Sequence, residues 1–368
     1  MTKIRPIVIY LPQYHPIPEN DEWWGKGFTE WTNVTKAKPL FKGHYQPHLP
    51  TDLGFYDLRL SEVREEQAKM AKEYGIYGFC YYHYWFNGKC MLERPFQEVF
   101  ESGKPDFPFM LCWANENWTR VWDGESKKIL MEQKYSEEDD RKHIQHLLPY
   151  FKDPRYIKVN GKAVFAIYQS GLLPDLEKTI KIWREEAQKE GISLYICRFD
   201  CHEFVGEKYL QRGVDATIDF QPFSSTMRTY KKKMLLKRSI RFAFSRIFNL
   251  NKISNFVAAS KYDYKDYVNY AITQPFPSYK IFPGITPSWD NSARKPNNYM
   301  VFINNTPLLY KKWLDNILKK FKPYSEEENF IFINAWNEWA EGNHLEPCIK
   351  WGRQYLEKTK EALNENEN

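Results

Sequence analysis

Two carboxylates near the end of the chain, Glu338 and Glu341, stand three residues apart in the run Asn334-Ala-Trp336-Asn337-Glu338-Trp339-Ala340-Glu341-Gly342. On a continuing strand, whose side chains alternate with period two, they would point to opposite faces and could not act on one bond. In a turn or short helix, residues i and i+3 share a face with Cβ atoms about 5–6 Å apart. The spacing therefore predicts that the chain leaves strand geometry after Asn337. Carboxyl groups at that distance suit a retaining glycosidase, at roughly 5–5.5 Å, rather than an inverting one, which needs a wider gap for water. Like charges in a low-dielectric cleft raise one pKa and leave the other group ionised, giving an acid and a base from identical side chains. Trp336 and Trp339 flank the pair and are read as sugar-stacking faces. Two exposed carboxylates capping a last helix are the plainer alternative.

Such a pair needs a strand to carry it and other strand ends around it. Short β-rich runs fall at 6–11, 75–82, 107–113, 163–168, 193–199, 216–220, 279–284 and 330–335, with helical stretches such as 58–74 and 173–190 between them. Eight alternating units predict an α/β fold, a single (β/α)8 TIM barrel over 1–368. A doubly wound sheet would carry a Gly-rich turn after its first strand, where this chain reads Pro12-Gln-Tyr-His15. Barrel chemistry sits at the C-terminal strand ends, and these are polar throughout. They nominate Tyr14, His15, Tyr82, His83, Trp113, Asn115, Glu116, Asp219, Trp289, Asp290 and Asn337 as substrate contacts. Trp31 joins them from the long loop after strand one, which spans about 13–51, a length that usually signals function.

A second long connection, 224–260 after strand six, reads as a basic amphipathic insertion. Ten Lys/Arg and no Asp or Glu lie between Phe220 and Tyr262, so the other 43 basic residues are outnumbered by 47 acidic ones. The excess of positive charge is local. That argues against a nucleic-acid binder and for a patch, 228–252, that meets anionic lipid headgroups or a lipid-linked carrier; a solvated helical insertion on the barrel rim is the bland reading. Aromatic residues make up 17% of the chain, more flat apolar surface than a core of this size uses, which points to a glycan or sugar-donor substrate.

Six cysteines without CxxC spacing read as reduced core thiols, and the start of the chain carries no apolar leader, so a cytoplasmic site at the inner membrane face is expected. Histidines spaced as His44-x-x-x-His48 lie in a Pro- and Gly-rich loop without the Glu of a zincin, so no catalytic metal is expected. Neither Asp-x-Asp nor a Gly-rich phosphate loop occurs, and no cofactor is implied. A transferase donor would have to be held by residues such as Arg120, Arg198 or Arg294, or be lipid-linked.

The segment Asn337-Glu-Trp-Ala-Glu-Gly342, followed by Leu345-Glu-Pro347, resembles the Asn-Glu-Trp-His-Glu-Gly segment of glycoside hydrolase family 99, the endo-acting α-mannosidases and mannanases. Tyr10-Leu-Pro-Gln-Tyr-His-Pro16, Glu22-Trp-Trp-Gly25, Gly27-Phe-Thr-Glu-Trp31 and Cys112-Trp-Ala-Asn-Glu-Asn-Trp118 resemble the WbsX type more closely, from about residue 6 to 356. WbsX-type proteins are family-99-like barrels of bacterial O-antigen and capsule clusters, commonly labelled glycosyltransferases. The resemblance implies that Glu338 acts as base on the substrate's own 2-hydroxyl, giving a 1,2-anhydro sugar, and that Glu341 is the general acid/base on the leaving group. Ala340 departs from the His of family 99. The resulting expectation is glycosyl transfer in surface-polysaccharide assembly, with a retaining endo-hydrolase and a non-catalytic sugar-binding barrel as the alternatives.

Overall fold

The predicted strand runs are dense in Val, Ile, Phe and Tyr, and nearly all of their side chains are buried. Strands buried on both faces without alternation are what a parallel sheet covered by helices requires. The computed structural model describes residues 3–120, 125–201, 206–247 and 260–367. Its barrel strands are β1 (Arg5–Tyr10), β2 (Gly78–Phe86), β3 (Phe109–Trp113), β4 (Lys162–Ile167), β5 (Leu194–Asp200), β6 (Ala216–Asp219), β7 and β8 (Phe330–Ile333). Strand β7 is broken into Ile281–Phe282 and Gly284–Ile285.

The resulting nine parallel segments form a nearly closed barrel. Ile7 of β1 pairs with Gly78 on one side and Phe332 on the other, and neighbours follow in chain order from β2 to β6. The first half of β7 pairs with β6, Ile281 against Thr217, and the second half with β8, Gly284 against Phe332. Pro283 lies between the halves, and its carbonyl accepts from Phe332 N at 2.8 Å. Proline has no N–H for a ladder, which is why the strand changes partner there. Gly284 is fixed by contact: a Cβ on it would stand 1.8 Å from the Asp219 carbonyl oxygen.

The loop after β1 holds two helices, α1 (Pro18–Trp24) and α2 (Glu30–Lys36), where the sequence suggested irregular chain. The remaining helices are α3 (Ser61–Glu73), α4 (Arg94–Ser102), α5 (Glu137–Lys152), α6 (Leu176–Lys189), α7 (Ser225–Ile247), α8 (Tyr264–Ala271), α9 (Pro307–Lys320) and α10 (Gln354–Glu367). Side-chain caps start several of them: Ser136 Oγ accepts from Asp139 N at 3.1 Å, and Asp175 Oδ1 from Lys178 N at 3.1 Å. The basic insertion begins as α7, and 248–259 of it lie outside the described residues. No described helix is long and apolar enough to cross a membrane.

Candidate active site

Strand β8 ends at Ile333, and the carboxylate pair sits in a small hairpin beyond it. Asn337 and Glu338 pair antiparallel with His344 and Asn343, and between them Trp339–Glu341 makes one 3-10 turn. The chain thus leaves the barrel strand earlier than the spacing suggested, and turns after Glu338 rather than Asn337. Gly342 closes the turn at φ 55°, where a Cβ would meet Asp290 Cβ at 2.9 Å, so both the left-handed backbone and the close approach call for glycine.

The hairpin is fixed from several sides. Asn337 uses its amide as a piece of strand: Oδ1 accepts from Leu11 N at 2.8 Å and Nδ2 donates to Leu11 O at 3.0 Å. The Tyr14 hydroxyl donates to the Asn337 carbonyl and accepts from Trp339 N at 3.3 Å. Trp339 Nε1 donates to Glu346 Oε2 at 2.6 Å, a carboxylate also bonded by Tyr56 (2.8 Å) and Gln67 (2.7 Å). Glu341 O accepts from Asp290 N at 2.6 Å. Asp290 in turn caps the one-turn helix Asn291–Ala293 that presents Arg294.

Arg294 joins three carboxylates. Its Nη2 lies 2.9 Å from Glu338 Oε2 and 3.1 Å from Glu30 Oε2, and its Nη1 lies 2.7 Å from Glu341 Oε1. Glu338 and Glu341 therefore share one guanidinium, each on its own nitrogen. Burial pushes the Glu338 carboxyl up to about 8; the Arg294 cation opposes this, while Glu341 and Glu30 add to it. Glu30, fully buried, is raised for the same first reason. A single cation cannot hold three adjacent carboxylates fully ionised, so the cluster keeps a proton near neutral pH.

Glu338 and Glu341 line a cavity of 380 Å³ at the barrel mouth, together with Tyr82, Tyr84, Trp289 and Glu116. Glu116 accepts from Gln169 Nε2, and burial lifts its carboxyl to about 7. A second lobe of 210 Å³ carries Trp23 and Trp24 from α1 and shares Trp118, Arg294, Lys295 and Glu341 with the first. Glu341 faces both lobes and Glu338 only the larger one. Aromatic walls beside convergent carboxylates suit a saccharide: ring C–H faces stack while hydroxyls hydrogen-bond.

Of the expected contacts, Tyr82, Glu116 and Trp289 reach this cavity with the pair. The others are corrected to supporting positions. Trp336 and Trp339 are 0% and 1% exposed, Trp336 packing on Phe79 and Trp339 on His344, so neither offers a stacking face. Tyr14 and Asn337 hold the hairpin. Trp31 donates to Tyr56 O at 2.8 Å and Trp113 to Trp85 O at 3.1 Å, both in the core. Asn115 Oδ1 accepts from Gln169 N at 2.8 Å, and His15 Nδ1 folds back to Pro12 O at 3.1 Å. His83 points out of the barrel toward α5, its ring 3.0 Å from His143. Asp219 lines a separate 60 Å³ space beside β7, and Asp290 is held by His44 at 2.6 Å and Gln46 at 2.8 Å.

Sequence reasoning nominated none of Glu30, Tyr84 and Trp118 as a contact, although all three lie at strand ends or in motifs it singled out, and it read Arg294 as a donor grip rather than a carboxylate clamp. Tyr84 was findable, since it lies two residues from Tyr82 on the same strand face. Of the other donor-gripping arginines, Arg198 pairs with Asp200 inside the barrel. His44 and His48 part to different partners, Asp290 and His344.

Residues 6–359 match the family model described as glycosyltransferase WbsX. An uncharacterized protein WxcX from two strains of Xanthomonas campestris pv. campestris is 37% identical over 359 residues, 97% of this chain and 49% of that protein. The chain thus spans about half the length of the curated relatives it matches. Among solved structures, the GH99 endo-alpha-mannosidase of Bacteroides thetaiotaomicron superposes with TM-score 0.55 at 14% identity, covering 99% of this chain and 97% of that one. A glycoside hydrolase-like protein gives TM-score 0.57 at 14% identity, covering 99% and 94%. At these identities the likeness is one of fold.

Proposed function

Because the chain belongs to the WbsX glycosyltransferase family and is a carbohydrate-active enzyme, we propose that it makes glycosidic bonds with retention, as a glycosyl-transfer enzyme of bacterial surface-polysaccharide assembly. The observation that carries this reading is the shared Arg294 clamp, which holds Glu338 and Glu341 side by side in an aromatic-walled cavity. Glu338, buried and lining only the larger lobe, is the base toward the 2-hydroxyl of the donor sugar. Glu341, facing both lobes, protonates the leaving group and then takes a proton from the acceptor. The donor sugar occupies the 380 Å³ lobe, and the leaving group and acceptor the lobe walled by Trp23, Trp24 and Trp118.

The insertion supplies the second part of the proposal, contact with anionic lipid or a lipid-linked carrier through 228–252. Leu235 and Leu236 on α7 are 60% and 63% exposed beside the lysines at 231–233, a mixture of apolar and cationic surface that suits a headgroup boundary. The test is incubation of the purified chain with nucleotide-linked and lipid-linked sugar donors and a panel of glycan acceptors. Transfer to a sugar acceptor, lost in Glu341→Gln, is expected; release to water alone overturns the transfer reading.

One observation favours a second reading, a retaining endo-hydrolase: the fold shared with the GH99 endo-alpha-mannosidase. Both reactions use the same pair and differ in which acceptor reaches the intermediate.

A further inference from the structure

Behind the cavity wall, on the outer face of β2, three elements bring imidazole and thiol groups together. Side chains on a strand alternate, so Tyr82 and Tyr84 face the cavity while His83 and Trp85 face out toward α5. The hairpin after β2 returns with Cys90 opposite Trp85, which puts its thiol on the outward face as well. Helix α5 lays His143 and His146, three apart, against the same patch. Cys90 Sγ stands 3.8 Å from His83 Nδ1, and ligand atoms of His83, Cys90 and His146 all lie within 4.8 Å of one another.

We propose that His83, Cys90 and His146 form a zinc site, separate from the carboxylate cleft, that ties the β2 hairpin and α5 to the back of the cavity wall. Tetrahedral zinc with Zn–S of about 2.3 Å and Zn–N of about 2.0–2.1 Å places neighbouring S and N ligands about 3.5 Å apart, so the 3.8 Å contact is close to bound geometry. The His83 ring has the outer support that a metal-bound histidine uses. With Nδ1 on the metal, its Nε2–H donates to His143 Nε2 at 3.0 Å. The unprotonated ring nitrogens of His83 and His146 supply the lone pairs that a zinc ion takes. Binding replaces the Cys90 S–H bond with S–Zn and releases that proton to solvent. Two imidazoles and one thiolate are a zinc donor set, and a half-buried Cys90 and His146 leave a path for the ion and a fourth place for water.

The test uses the tag-free full chain, stripped with chelator and titrated with Zn²⁺ or Co²⁺ alone. One zinc per chain should be retained after desalting, with a proton released on binding. The Co²⁺ form should have tetrahedral absorption with a thiolate charge-transfer band. Cys90→Ser should lose that band. His146→Gln, at a half-exposed position that the fold tolerates, should weaken Zn²⁺ at least about 10-fold. Absence of retained zinc in the wild-type chain, or a Co²⁺ spectrum unchanged by Cys90→Ser, would overturn the assignment.

Discussion

Arg294 donates through Nη2 to Glu338 Oε2 at 2.9 Å, and this ion pair makes a buried carboxylate usable as a base. Burial alone would push the carboxyl higher still; the guanidinium limits the rise to about 8, so a minor fraction is ionised at neutral pH and that fraction grows with pH. Since the base works ionised, kcat/KM should climb with pH on its acidic limb. Replacing Arg294 by Met removes the cation that favours the anion, so that limb should move up by about one pH unit or more, with activity at neutral pH falling about 10-fold or more. A pH–rate profile of both proteins checks it; an unmoved limb would mean that another group sets the profile.

The same carboxyl makes stability depend on pH. Its folded value, about 8, lies above the ordinary 4.5, so the native state holds a proton that the unfolded chain has released. The stability this contributes is complete below about pH 4.5 and is lost as pH rises through about 8. Gln cannot ionise. Glu338→Gln should therefore gain on the wild type between pH 5 and pH 8, by about 2 °C or more in Tm at the upper end. A Tm difference that is flat across this range would count against the buried, proton-holding cluster.

Tyr14 acts through the hairpin rather than on the sugar. Its hydroxyl bonds the Asn337 carbonyl and Trp339 N, on either side of Glu338. Tyr14→Phe leaves a buried carbonyl unpaired at a cost of about 1–3 kcal/mol. It should lower kcat by roughly 10- to 100-fold through misplacement, with KM little changed. Equal loss in both parameters would place Tyr14 in the binding surface instead.

Much of the frame was legible in the sequence because each strand run is apolar and bounded by polar residues, and all eight appear close to the expected positions. The turn carrying the carboxylates was legible from one number, the spacing of 338 and 341. What could not be read was facing. Trp336 and Trp339 look like stacking platforms in a string of letters, yet burial against Phe79 and His344 makes them supports. Tyr84 and Trp118 line the cavity instead. Glu30 and Arg294 meet across 264 residues, and no local pattern encodes a long-range ion pair.

Trp118 lines both lobes of the cleft and packs edge-on against Tyr84 at 5.2 Å. Loss of its ring should weaken substrate binding by about 1.4 kcal/mol, a 10-fold rise in KM for Trp118→Ala, with kcat within about 3-fold. Michaelis kinetics on an acceptor series checks it, and an unchanged KM would exclude the outer lobe as a sugar platform.

The most direct test of the paired-carboxylate account is the anomeric configuration of the product against that of the donor, followed by proton NMR from the first turnover. Glu338 and Glu341 are held on neighbouring nitrogens of one guanidinium, and a close pair suits retention, whereas inversion needs a wider gap for water. Retention is the predicted result, lost together with activity in Glu341→Gln. An inverted product, or full activity in that variant, would contradict it.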